Sequence, residues 1–120
     1  MGARSSFGER QGSDGFPLTA HWDGRAWKLV DGPKPGPSSG LSAVSAVSST
    51  SVWASGTEDF GNLVEHWDGK SWTISQIPSP GDANELNAAI AFPSGSVFVA
   101  GTTLHTNGLE PQVFHTTRGK

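Results

Sequence analysis

Residues 51–73 read SVWASGTEDFGNLVEHWDGKSWT, and parts of this stretch recur 45 residues upstream and 45 residues downstream. His-Trp-Asp-Gly stands at His21 to Gly24 and again at His66 to Gly69. Trp27 returns as Trp72, Leu41 as Leu86, Gly56 as Gly101 and Thr57 as Thr102. A fixed period of this size marks a repeat architecture, in which each unit is one small supersecondary structure that buries its faces only by stacking on its neighbours.

Each unit resolves into four strand candidates. The first is residues 41–47 (LSAVSAV), matched by 86–92 (LNAAIAF), and both are nearly continuous runs of small apolar residues, as expected of a strand covered on both faces. The second is residues 52–57 (VWASGT), matched by 97–102 (VFVAGT), with Ser-Thr-Ser and Ser-Gly-Ser supplying the turns between first and second strands. The third is residues 63–67, matched by 18–22, and the fourth is 71–77, matched by 26–30. Between third and fourth lies Asp-Gly, at Asp23-Gly24 and Asp68-Gly69, which predicts a two-residue type I′ hairpin. Pro- and Gly-rich connectors at 32–40 and 78–82 end one unit and start the next. No window carries apolar residues at helical spacing with flanking caps. The expectation is an all-β chain: 1–16 a polar, flexible N-terminus, 17–31 a partial unit of third and fourth strands, 41–77 a full unit, and 86–116 a partial unit of first to third strands.

Composition sets the outer limits. The chain has 120 residues, 34% of them hydrophobic, with 16 Gly, 8 Pro and 5 Trp, which suits many short strands and turns. Net charge is −3 with no basic run, so electrostatics give no reason to expect a nucleic-acid partner. No apolar stretch approaches the roughly 20 residues of a membrane helix. There is no cysteine, hence no disulfide, no thiolate metal site and no Cys nucleophile. The first fifteen residues have no apolar centre and do not read as a signal peptide.

The pair SSTSVWASGT and VEHWDGKSWT resembles the tandem repeats of secreted bacterial β-propellers, in which a V-W-A-x-G strand is followed by H-W-D-G-x-x-W. The resemblance runs from about Leu18 to His115, and after His115 the residues Thr116 to Gly119 replace Trp-Asp-Gly. It implies blades of four antiparallel strands, about two per chain, and an extracellular, bacterial setting. Two blades cannot close a ring, so it also implies a homo-oligomer, a trimer first, or pairing with a complementary propeller chain. In that expectation the N-terminal strand pair of one copy completes the C-terminal blade of the next. Short two-blade propeller lectins are similar, and by that likeness the chain is expected to be a non-catalytic, carbohydrate-binding module. The other readings are a protein-interaction or structural subunit and an enzyme with its site in the ring channel.

Candidate ligand-binding residues follow from the hairpin and the loops. A two-residue turn would set Trp22 opposite Arg25 and Trp67 opposite Lys70, with His66 opposite Ser71 and His21 opposite Ala26. Such a Trp–cation pair either locks the hairpin at the rim of its unit or, as the likeness to propeller lectins implies, leaves a Trp face open to a sugar ring. Glu58 and Asp59, in the 58–62 loop, are expected to line one face of the ring together with an insertion at 103–111 that lengthens a connector. His21, His66 and His115 recur at one place in successive units, but sheets packed about 10 Å apart cannot bring them to one ion. They are read as braces, joined to Asp23 or Asp68. No metal, no cofactor and no catalytic residue is expected: the innermost strands offer only Ser42, Ser45 and Asn87, and no nucleophile elbow occurs.

Overall fold

The computed structural model describes residues 2–6, 18–22, 25–30 and 38–117, with side chains at 25, 26, 30 and 38–115. Its strands are β1 Gly2–Ser6, β2 Leu18–Trp22, β3 Trp27–Val30, β4 Ser39–Ser48, β5 Ser51–Glu58, β6 Gly61–Trp67, β7 Trp72–Ile74, β8 Ala83–Ala91, β9 Ser96–His105 and β10 Gly108–Thr117. Among the described residues there is no helix, so none long and apolar enough to cross a membrane, and the chain is all-β. The strands form three antiparallel sheets, each an up-and-down ladder: β1-β2-β3, β4-β5-β6-β7 and β8-β9-β10.

The repeat is a repeat of register. Leu41 pairs with Gly56, Ala43 with Ser55 and Ala46 with Val52, and 45 residues on, Leu86 pairs with Gly101, Ala88 with Ala100 and Ala91 with Val97. The ladder slips at the same place in each unit, leaving Ser42 and Asn87 as the bulged residues, and β4 slips a second time between Ala46 and Ser48. Gly56 and Gly101 are required by the spacing this register sets. A Cβ on Gly56 would run into the backbone carbonyl oxygen of Gly40, and one on Gly101 into that of Glu85. At both, the neighbouring strand comes too close for a side chain.

The second sheet is covered on both faces. Leu41, Val52, Ala54, Leu63, Trp67 and Trp72 point one way and form one core, with Val30 of β3 packed against it. Trp53 and Val64 point the other way and bury themselves among Leu86, Val97 and Val99 of the third sheet. Serines join these two sheets along β8. Ser42 Oγ donates to the Leu86 carbonyl, Ser55 Oγ to that of Ala88, and the Ala91 N–H donates to Ser45 Oγ. Each such bond contributes about 1 kcal/mol, and the small side chains let the backbones come close.

Three features differ from the sequence expectation. Gly2–Ser6, expected to be flexible, is a strand: β1 pairs with β2 in the place that β5 takes beside β6, Gly2 opposite Trp22 as Val52 is opposite Trp67. Backbone pairing needs no apolar pattern, so this strand left none to read. The edge of β2 is therefore taken within the chain. The insertion at 103–111 is not a longer connector. It extends β9 and β10, which pair from His105↔Gly108 outward and reverse through Thr106 and Asn107. Pro111 is tolerated because β10 is an edge strand, where a missing N–H breaks no ladder. The fourth strand is shorter than read: β7 stops at Ile74, and past it Ser75 N–H donates to the Val64 carbonyl before the chain reaches Pro78.

Glu65 is the exception inside the first core. It lies on β6 between Ala54 and Ile74, it is 1% exposed, and its Oε2 has no hydrogen-bond partner. Burial pushes its carboxyl from 4.5 up to about 7.

Two outcomes are expected. Gly56→Ala or Gly101→Ala forces a backbone shift and is expected to cost about 2–3 kcal/mol, read from denaturant midpoints. For Glu65, the unfolded carboxyl loses its proton near 4.5 and the folded one near 7, so stability falls as pH rises through that window and is level above it. Between pH 4.5 and 7.5 the wild-type chain is expected to lose on the order of 2–3 kcal/mol relative to Glu65→Gln, whose urea midpoint lacks this dependence.

Candidate functional site

The aromatic hairpin is closed by four residues, not two. Trp67 pairs with Trp72 and His66 with Thr73, and β2 and β3 repeat this with Trp22↔Trp27 and His21↔Lys28. The expected pairs Trp67–Lys70, Trp22–Arg25, His66–Ser71 and His21–Ala26 do not form. The cause is Asp68, whose Oδ1 accepts from the N–H groups of Lys70 (2.9 Å) and Ser71 (3.0 Å), while its own N–H donates to the Ser71 carbonyl. Those bonds hold the Asp68 carboxyl below the usual carboxylate range. Gly69, at φ 103°, makes the bend.

This register turns Trp67 inward. It is 6% exposed, its ring lies 5.7 Å from that of Trp72, and its indole N–H donates to the Ser49 carbonyl at 3.2 Å. Trp53 and Trp72 are buried as well, so no tryptophan whose side chain is described offers a face to solvent. Lys70 is exposed at the loop tip and Arg25 is exposed, while the Trp22 side chain falls outside the described residues. Of the repeated histidines, His66 and His115 have described side chains. His66 stacks on Trp53 at 4.3 Å and its Nε2 is 3.1 Å from Ser51 Oγ; His115 stacks on Phe98 at 4.2 Å. Among the described residues no three His, Asp or Glu side chains converge on a point where an ion would bind.

The structure brings together the two other stretches singled out from sequence. β5 turns into β6 through Asp59 and Phe60, with Glu58 opposite Gly61, and both central residues have positive φ, 47° and 76°. This is a two-residue turn, as is the one through Ser49 and Thr50 between β4 and β5, and it lacks the glycine such turns favour. The Phe60 ring is 71% exposed. Across from it stand Leu104 and Leu109 of the lengthened β9–β10 arm, and Thr57, Asn84, Glu85 and Thr102 line the groove between, a space of ≈ 370 Å³. Asp59 is exposed beside it and Glu58 half-buried.

A polar network fixes this turn to the third sheet. Asn84 Nδ2 and its backbone N–H both donate to the Phe60 carbonyl, at 2.9 and 2.7 Å. Asn62 and Gln112 exchange amide hydrogen bonds of 2.9 and 3.1 Å, and Gln112 Nε2 also donates to the Thr102 carbonyl at 2.7 Å. Sequence reading placed Glu58 and Asp59 here but passed over Phe60, Leu104 and Leu109. The available signal was a bulky aromatic inside a turn-forming run, Glu-Asp-Phe-Gly-Asn.

Compared with protein-family models, with curated proteins and with solved structures, the chain matches none. The site's meaning thus rests on its own geometry.

Trp67→Ala is expected to act as a core deletion. It should cost about 3–5 kcal/mol of unfolding free energy, whereas Lys70→Ala, at the exposed tip of the same hairpin, should stay within about 0.5 kcal/mol.

Proposed function

We propose that this chain is a non-catalytic binding module of β-propeller type, and that its groove beside Phe60 holds a segment of a partner protein. The propeller reading is supported by the 45-residue unit, by the four-stranded antiparallel sheet of the full unit and by the stacking of one sheet on the next. A non-catalytic role is supported by the fate of the innermost hydroxyls: Ser42 and Ser45 are engaged with the backbone of β8, as is Ser55 beside them on β5.

The observation that carries the binding site is Phe60. A phenylalanine at positive φ costs roughly 1–2 kcal/mol, and strain of this kind gathers at binding and switch regions. The turn is anchored by buried amides, so the ring is presented rather than loose. Leu104 and Leu109 give the groove an apolar floor suited to an apolar side chain of a partner. A sugar ligand is the second reading, favoured by the one exposed aromatic ring that stands beside Glu85, Thr102 and Thr57. The buried Trp67 no longer supports it.

Phe60→Gly separates fold from function. It places Asp-Gly in the type I′ turn and is expected to stabilise the fold by about 1 kcal/mol, while lowering binding to peptide arrays at least tenfold, which is about 1.4 kcal/mol. Hits on a glycan array that are lost in the same variant, with no peptide binding by either protein, would instead establish the sugar reading.

A further inference from the structure

Among the residues with described side chains, the exposed large apolar ones are not scattered. Apart from Phe60 they are Ile90, Phe92, Phe98, Leu104, Leu109 and Val113, all on the strands of the third sheet or the turn that joins them. Their register puts them on one face. In β9, Phe98 and Leu104 alternate with Val97, Val99 and Thr103, which are buried towards the second sheet. Ile90 lies opposite Phe98, Leu109 opposite Leu104 and Val113 opposite Ala100. The third sheet therefore turns an apolar face away from the rest of the chain.

The second sheet shows what such a face meets. Phe98 holds the register place of Trp53, each with its ring against the histidine opposite it, His115 and His66. Val113 holds the place of Val64 and Ile90 that of Ser45. In the second sheet these places are covered by the third: Trp53 is 4% exposed and Val64 3%. In the third sheet the same places stand open, Phe98 at 38% and Val113 at 64%.

We propose that this outward face is a docking surface for a second copy of the chain, which lays its first sheet on it as the third sheet lies on the second. The interface is a continuation of the one already present between the second and third sheets. The first sheet has the backbone frame to receive it. β2 and β3 pair as β6 and β7 do, Trp22↔Trp27 matching Trp67↔Trp72 and Ala20↔Leu29 matching Glu65↔Ile74, and β1 takes the place of β5. The contact joins two different surfaces, so it propagates until a ring closes. Each copy brings three sheets, not the two blades read from sequence. Two copies supply six, within the range of about four to eight blades in closed propellers. The assembly is a dimer; its contact is centred on Ile90, Phe98 and Val113, while Leu104 and Leu109, at the other end of the same face, also line the groove beside Phe60.

The mass in solution is measured by light scattering and sedimentation at high micromolar concentration. A dimer is expected, and Ile90→Asp/Val113→Asp should be a monomer with the wild-type far-UV spectrum. Because the sequence has no cysteine, Val113→Cys gives a second readout independent of whether the double variant folds. Its maleimide labelling should be roughly tenfold or more slower at high concentration than on dilution, as expected of a site reached only after opening. A monomeric wild-type protein overturns the proposal, and so does any oligomer in which Cys at 113 labels at the rate of an exposed thiol.

Discussion

A sheet that is apolar on both faces has to be covered twice, and the second sheet of this protein is such a sheet. Along β5, Val52 and Ala54 point into one core while Trp53 points into another, so neither side can be left to water. Everything else in the chain is arranged around that demand. The third sheet covers one side through Leu86, Val97 and Val99, and Val30 of β3 packs against the other. The serine hydroxyls along β4 and β5 reach the backbone of β8, where bulkier side chains would hold the sheets apart. Burying one carboxylate, Glu65, is the cost of filling this interior with a sequence that also reads as a hairpin strand.

Legibility differed between backbone and side chain. The period foretold the register, because two stretches that place Leu, Gly and small apolar residues alike can pair alike. The hairpins were not readable in this way. Asp-Gly is a strong local signal for a two-residue turn, but an aspartate side chain that accepts two backbone N–H groups favours a wider loop. The tight turn went to Asp59 and Phe60, where propensity argues against it and the network through Asn84 and Asn62 holds the chain in place. Trp67, paired with Trp72, is in the core, while Phe60, at the tip of the other turn, is exposed.

The site was half legible for related reasons. Charged residues in a loop, Glu58 and Asp59, drew attention, whereas their apolar neighbours Phe60, Leu104 and Leu109 did not. A leucine on an extended arm looks like any strand residue until the arm is seen to have nothing packed outside it. The pattern that buries Val97 and Val99 also exposes Phe98, and only the presence or absence of a neighbouring sheet distinguishes the two faces.

Gly56 and Gly101 carry a consequence for how such a chain can change. The distance between first and second strands is set where a backbone oxygen meets a missing Cβ, so it does not depend on which side chains line the faces. Trp53 has become Phe98, Ser45 has become Ile90 and Val64 has become Val113 without disturbing the frame they stand on. Faces can drift towards new partners while two hydrogen atoms keep the scaffold in step. In this architecture the freedom to acquire binding surfaces is located in the side chains, and the memory of the unit is kept in its smallest residue.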